Sequence, residues 1–166
     1  TNVDIVVRGH RIVAIRPHRR PAPGDSVIDA SALTVMPGLA DAHAHIGYGT
    51  GEALGRTWLA YGITTIRDPA SDPFPIGERR ESVESGARVG PRELATGRIF
   101  DGQRIYYGFN NAITPGAQLA AELQRAADLR FDLIKTYVRL PDQLQQRIIV
   151  AAHQMGIPVS SHELYP

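Results

Sequence analysis

The chain has 166 residues, 18 Lys+Arg against 17 Asp+Glu, a formal net charge of +1 and no Cys. A near-neutral balance without a Lys/Arg block argues against nucleic acid as the main partner. The lack of Cys excludes disulfides, Cys-ligated zinc and thiol catalysis, and no apolar run of about 18 residues is present to form a transmembrane helix. At this length about 70% of the unfolded surface can be buried, enough for a true core.

The start, TNVDIVVRG, reads as a strand rather than a secretory leader, and it lacks an initiator Met. The expected setting is the cytoplasm, with the periplasm as the alternative. Residues 3–7 and 11–15 are β-branched runs split by Arg8, Gly9 and His10, the pattern of a hairpin. A Pro-rich loop covers 17–25, and VIDAS and LTVMP follow as short extended pieces. Residues 1–36 therefore read as a small β domain.

From Pro37-Gly38 onward the pattern changes. LADAHAHI (39–46) reads as a strand opening into the Gly-rich loop GYGTG, and 51–62 reads as a helix stopped by Gly62. ITTIRD (63–68) is a strand, 75–90 a helix, and 92–100 a strand followed by a long loop over 101–113. Thr114 and Pro115 give the start signal for a helix over 114–129. FDLIKTYV (131–138) is a strand, 141–156 a helix ended by Gly156, and IPVSSHEL (157–164) a strand. Five strands alternating with four helices imply an α/β fold with parallel strands and right-handed crossovers. A doubly wound sheet and a (β/α)8 barrel both satisfy the alternation. A full barrel takes about 250 residues and about 130 remain after the β domain, so either the sheet is open or the barrel is cut.

Three features carry chemistry. His43 and His45 occupy alternate strand positions, so both imidazoles face one side about 7 Å apart and can reach one divalent ion. His-x-His pairs also arise by chance, but this one ends a strand, where ligands gather in parallel α/β folds. Lys135 lies among Leu133, Ile134, Tyr137 and Val138. It either snorkels out at the strand end or is a desolvated amine of unusual reactivity. His162 ends the last strand, as a hydrogen-bonded structural residue or as a ligand.

Taken in order, VMPGLADAHAHI, DLIKTYV and VSSHE resemble the amidohydrolase superfamily, in particular its dipeptidase-like and imidazolonepropionase-like branch. The resemblance implies a small β-sandwich-type domain over 1–36. After it, 37–166 would form a partial TIM-like barrel of about five βα units. It implies that His43 and His45 bind the more buried of two divalent ions, that carbamylated Lys135 bridges the two, and that His162 binds the more exposed one. Zinc suits such imidazole and oxygen donors. The implied activity is hydrolysis of carbon–nitrogen bonds in an amide, cyclic amide or dipeptide by a metal-activated water. The alternatives are a barrel module without catalytic activity and a single-metal deaminase, although deaminases of this kind generally lack the bridging Lys. The family's sixth-strand His and its eighth-strand Asp, the general base, have no counterpart in this sequence. The chain therefore reads as incomplete, inactive alone, with the remaining C-terminal barrel segment as its partner. No membrane partner is expected, and a homo-oligomer remains open. Weaker candidates are Asp41 and Asp68, as orienters of a ligand His or as turn and capping residues. Tyr106, Tyr107 and Arg104 lie on the long loop where barrel enzymes bind substrate, the two rings as substrate contacts or as loop packing and Arg104 as a holder of a substrate carboxylate or as a solvated side chain.

Overall fold

In the N-terminal segment β1 (Val3–Arg8) and β2 (Arg11–Pro17) pair antiparallel, from Val3 opposite Pro17 to Arg8 opposite Arg11. Gly9 makes the turn at φ 57°, where a side chain would be strained. The computed structural model of the chain describes residues 3–46 and 51–162. The chain separates into two compact units, Thr1–Pro37 and Gly38–Pro166. Beyond the hairpin the expected extended pieces VIDAS and LTVMP do not form strands: residues 27–37 carry only turns and irregular backbone, without a ladder partner.

The second unit is α/β with parallel sheets. β3 (Leu39–Asp41), β4 (Ile63–Asp68) and β5 (Arg92–Ala95) form one sheet in that order. β6 (Phe100–Asp101), β7 (Asn111–Ala112), β8 (Ile134–Thr136) and β9 (Val159–Ser161) form another, ordered β7-β6-β8-β9. β5 and β6 are two parts of one run, so β3, β4, β5/β6, β8 and β9 follow one another in space as in sequence. The run was expected as one strand over 92–100. It breaks at Gly97, at φ 63°, where a Cβ would stand 2.2 Å from the Phe131 ring.

The helices α1 (Gly51–Ala60), α2 (Pro73–Glu84), α3 (Ala117–Asp128) and α4 (Asp142–Gln154) lie between the strands. α2 starts two residues earlier than its expected span because Asp72 caps it, accepting from the Phe74 N–H at 3.2 Å with Pro73 at the first helical position. It ends at Glu84 rather than near Gly90, since Gly86 turns the chain at φ 77°. α3 begins after Gly116, not at Thr114, whose N–H is instead taken by Gln118 Oε1 at 2.7 Å. Apolar residues at helical spacing, Leu119, Leu123 and Ala126 of α3 with Leu144, Ile148 and Ala152 of α4, pack on Phe100, Ile134 and Ile157. Arg80 of α2 is buried and donates to the Leu129 and Arg130 carbonyls at 2.8 and 2.7 Å, closing the C-terminal end of α3. Among the described residues no helix is long and apolar enough to cross a membrane. The Gly-rich loop at 47–50 and the expected strand end at 163–164 lie outside the described residues.

Gly38 shows how tightly the second unit is entered. A Cβ there would stand 2.0 Å from Thr64 Oγ1, so β3 reaches β4 only without a side chain. Gly38→Ala should destabilise the protein by about 1–3 kcal/mol in urea denaturation, as overpacking does. Adding Thr64→Gly should recover part of that loss; no recovery would place the strain elsewhere.

Candidate active site

The two histidines of the HAH run are placed by a turn rather than a continuous strand. β3 stops at Asp41 because its carboxylate accepts from the His43 N–H at 3.0 Å and bends the chain. Ala44 then rejoins β4, its N–H donating to the Arg67 carbonyl at 3.0 Å. The strand expected over 39–46 is thus three residues long, yet Ala44 turns inward while His43 and His45 stay outside it. Their ring centroids lie 5.1 Å apart.

Asp68, at the end of β4, is fully buried and serves as a hub. It pairs with His45 Nδ1 at 3.1 Å and accepts from the Ile46 and Ala70 N–H groups at 3.2 Å and from Ser71 Oγ at 2.6 Å. A carboxylate only accepts, so this contact places a proton on His45 Nδ1 and leaves Nε2 as the ring atom available to a ligand. Arg79 of α2 reaches Asp68 at 3.5 Å and is held from the other side by Glu93, Nε to Oε2 at 2.8 Å. Asp68 therefore orients an imidazole, whereas Asp41 acts on His43 through the backbone.

Lys135 sits in β8 with 3% of its surface exposed, opposite Ser160 of β9. No hydrogen-bond acceptor or carboxylate meets its Nζ among the described residues. Burial, and then the nearby Arg67 guanidinium, hold its amine below the usual lysine range, which favours the neutral form. His162 follows β9, its N–H donating to the Thr136 carbonyl at 3.2 Å. Its ring stands 5.9 Å from that of His43 and 5.1 Å from that of Tyr137. Desolvation, then His45, Lys135, His162 and Arg67, lower the pKa of His43. A free lone pair rather than a proton is thus favoured on the ring.

His43, His45, Lys135 and His162 line one cavity of about 520 Å³ at the ends of β3, β8 and β9. Tyr107, Phe109 and Tyr137 share it. Tyr106 packs edge-on to Tyr107 and Tyr137 at 4.8 and 5.5 Å. Arg104 faces a different cavity, with Arg139 and Arg147, away from the histidine and lysine cluster. Tyr137 escaped sequence reasoning as a site residue although it follows Lys135 at strand period 2. Burial and a hydrogen bond that its O–H donates to Tyr107 push its phenol up to about 12, so it stays protonated. Asp101 and Phe109 were also missed; the Asp-Gly step at 101–102 was their one legible signal.

Among the described residues no group of three or more His, Asp or Glu forms a complete set for one metal ion. Imidazole lone pairs suit a divalent transition metal, but the Lys135 amine must first lose its proton. A buried amine facing three imidazoles and, among the described residues, no acid is a poor resting place for a cation. A modification that makes it an anionic oxygen donor would fit the cluster to a metal.

No protein-family model matches the chain. It is 33% identical over 103 residues to an allantoinase of Enterococcus faecalis, covering 55% of this chain and 21% of that protein. It is 36% identical over 91 residues to an allantoinase of Salmonella choleraesuis, 49% of this chain and 19% of that one. Among solved structures, a bottromycin amidohydrolase superposes with TM-score 0.72 and 25% identity over 89% of this chain and 31% of its own. A Xaa-Pro dipeptidase with bound methionine superposes with TM-score 0.79 at 19% identity over 97% of this chain and 52% of its own, a likeness of fold. The chain thus spans about a fifth of the length of the curated relatives it matches, 21% and 19%.

Proposed function

We propose that the chain belongs to the amidohydrolase superfamily, a reading its likeness to allantoinases and to a bottromycin amidohydrolase supports, and that the protein is a metal-dependent hydrolase of carbon–nitrogen bonds in a small amide, cyclic amide or dipeptide. The observation that carries this reading is the convergence of His43, His45, Lys135 and His162, from three strand ends, on one cavity. The relatives bear names of hydrolases, which speaks for catalysis rather than a barrel module without activity. In this reading the strand series β3, β4, β5/β6, β8, β9 is the first five-eighths of a (β/α)8 barrel behind a small β domain. The remaining segment of the barrel, with a further ligand and the general base, comes from outside residues 1–166.

His43 and His45 would hold the more buried of two divalent ions, zinc by donor type, and His162 the more exposed one. Lys135 would bridge them as a carbamate. Its neutral Nζ attacks the carbon of CO2 and releases a proton, which turns a buried cation into an anion. The lowered pKa of the amine favours that step. Bound there, a divalent pair supplies Lewis acidity, lowering the pKa of water and polarising the scissile carbonyl. Asp68 would hold the His45 ring through Nδ1 and leave Nε2 for the ion.

The test is metal content. Purified full-length protein should bind two divalent ions per chain by elemental analysis, with the second lost in Lys135→Ala. One ion per chain, unchanged by that substitution, would sink the bridging assignment.

A further inference from the structure

The loop over 102–110 has no periodic pattern, yet it is among the most firmly anchored parts of the chain. Asp101, fully buried, accepts from the Gly102 and Tyr106 N–H groups at 2.9 and 2.7 Å, from Asn110 Nδ2 at 2.9 Å and from the Arg139 N–H at 3.1 Å. Gly102 lies so close to the chain after β8 that a Cβ would stand 2.0 Å from the Arg139 carbonyl oxygen. Arg139 in turn donates to the Arg104 and Ile105 carbonyls at 3.2 and 2.8 Å and stacks its guanidinium over the Tyr106 ring. Both ends and the middle of the loop are therefore fixed before any ligand arrives.

What the loop presents is flat and apolar. Tyr107 and Phe109 stack with ring planes 3° apart and centroids 5.5 Å apart. Their exposures of 43% and 47% are high for aromatic rings held in so rigid a loop. Both rings line the cavity that holds His43, Lys135 and His162, with Pro69, Pro75 and Ile76 as further apolar lining. Charge in the cavity is already committed. Arg79 is paired with Asp68 and Glu93, and the Asp72 carboxylate is taken by the Phe74 N–H and by Arg98. Among the described residues a cationic substrate side chain would meet no free acid, and it would lie near Lys135 and three imidazoles. The guanidinium that lines the cavity among the described residues, Arg79, is already paired, so an anionic side chain gains little from it.

We propose that this anchored loop is a preformed recognition wall, and that the substrate carries a neutral aromatic ring beside its scissile carbon–nitrogen bond. The ring lies against Tyr107 and Phe109 while the bond faces the histidine and lysine cluster. This specificity rests on the hydrolase reading above and names its substrate class. Preorganisation is the physical gain, because the wall loses little freedom on binding.

Two measurements on the full-length protein test it. The first is kcat/KM over dipeptides Xaa-Gly and Gly-Xaa with Xaa Phe, Leu, Lys or Asp. Phe should be preferred at one position, by about tenfold over Leu and more over Lys and Asp. Tyr107→Ala and Phe109→Ala should lower kcat/KM for the Phe dipeptide about tenfold more than for the Leu dipeptide, and Tyr107→Phe should keep the preference. The second is calorimetric binding of phenylacetamide against isovaleramide, which needs no turnover. Tighter binding of phenylacetamide, lost in Phe109→Ala, supports the wall. If no dipeptide is hydrolysed but that binding preference stands, the hydrolase reading fails and the wall survives. If dipeptides are hydrolysed with no preference for Phe, or if both substitutions lower all substrates equally, the wall is overturned and the hydrolase survives. Equal binding of the two amides overturns it as well and leaves the rings as packing for another part of the chain.

Discussion

Replacing Lys135 by Ala in the full-length protein is expected to lower carbon–nitrogen bond hydrolysis by about a thousandfold or more, the scale on which loss of one preorganised charged group acts. Millimolar acetate or propionate should restore part of the activity by filling the space with a free carboxylate. Lys135→Arg should restore none, because a guanidinium keeps its charge and cannot bridge cations. The expectation starts from burial. Lys135 has 3% of its surface exposed and no acid beside it among the described residues, and burial, then Arg67, lower the pKa of its amine. Apo protein should likewise regain activity faster with metal and bicarbonate together than with metal alone, since carbamate formation consumes CO2 and the neutral amine. Wild-type rates in Lys135→Arg would end this account of the residue.

Asp101→Ala should be the most costly single change outside the histidine and lysine cluster. It leaves four donors, three backbone and one from Asn110, without their buried acceptor. Unsatisfied buried groups cost about 1–3 kcal/mol each, and water entry recovers part, so a loss of about 3 kcal/mol in urea denaturation is expected. The near-ultraviolet circular dichroism of the Tyr106, Tyr107 and Tyr137 cluster should weaken at the same time, because the loop that holds it is released. Asp101→Asn keeps one acceptor oxygen and should lie between. An unchanged denaturation midpoint with an unchanged aromatic band would show that the loop is held by something else.

Strand β4 was legible to the residue, because ITTIRD is β-branched and closed by a proline. Elsewhere the sequence located elements but not their ends. The strand through the HAH run stops early because the Asp41 side chain competes for the backbone, a local contest that periodicity does not register. The third strand is split by a ring from residue 131, a contact more than thirty positions away that no local window holds. The same division runs through the candidate site. His43, His45, Lys135 and His162 announce themselves as unusual residues at strand ends, and the structure brings all four to one cavity. Asp68 as an orienting hub and Asp101 as a loop anchor do not announce themselves. An Asp after a strand is commonplace, and only burial with several donors around it tells a hub from a turn. Arg104 is the converse case: loop position alone suggested the substrate side, and the chain turns it into a separate cavity.

The guanidinium that closes α3 has a bearing on how this sequence can drift over generations. Arg130 holds φ 53°, a conformation that glycine usually occupies after a helix, and the two carbonyls beside it are satisfied by Arg80, fifty positions earlier. The end of one helix is thereby written in the interior of another. A descendant that loses Arg80 has those carbonyls to satisfy afresh, and the cheapest repair is a glycine at position 130 that lets the chain turn outward to solvent. Positions 80 and 130 should therefore change together across lineages, as a pair of letters inherited as one, although no local reading of either would join them.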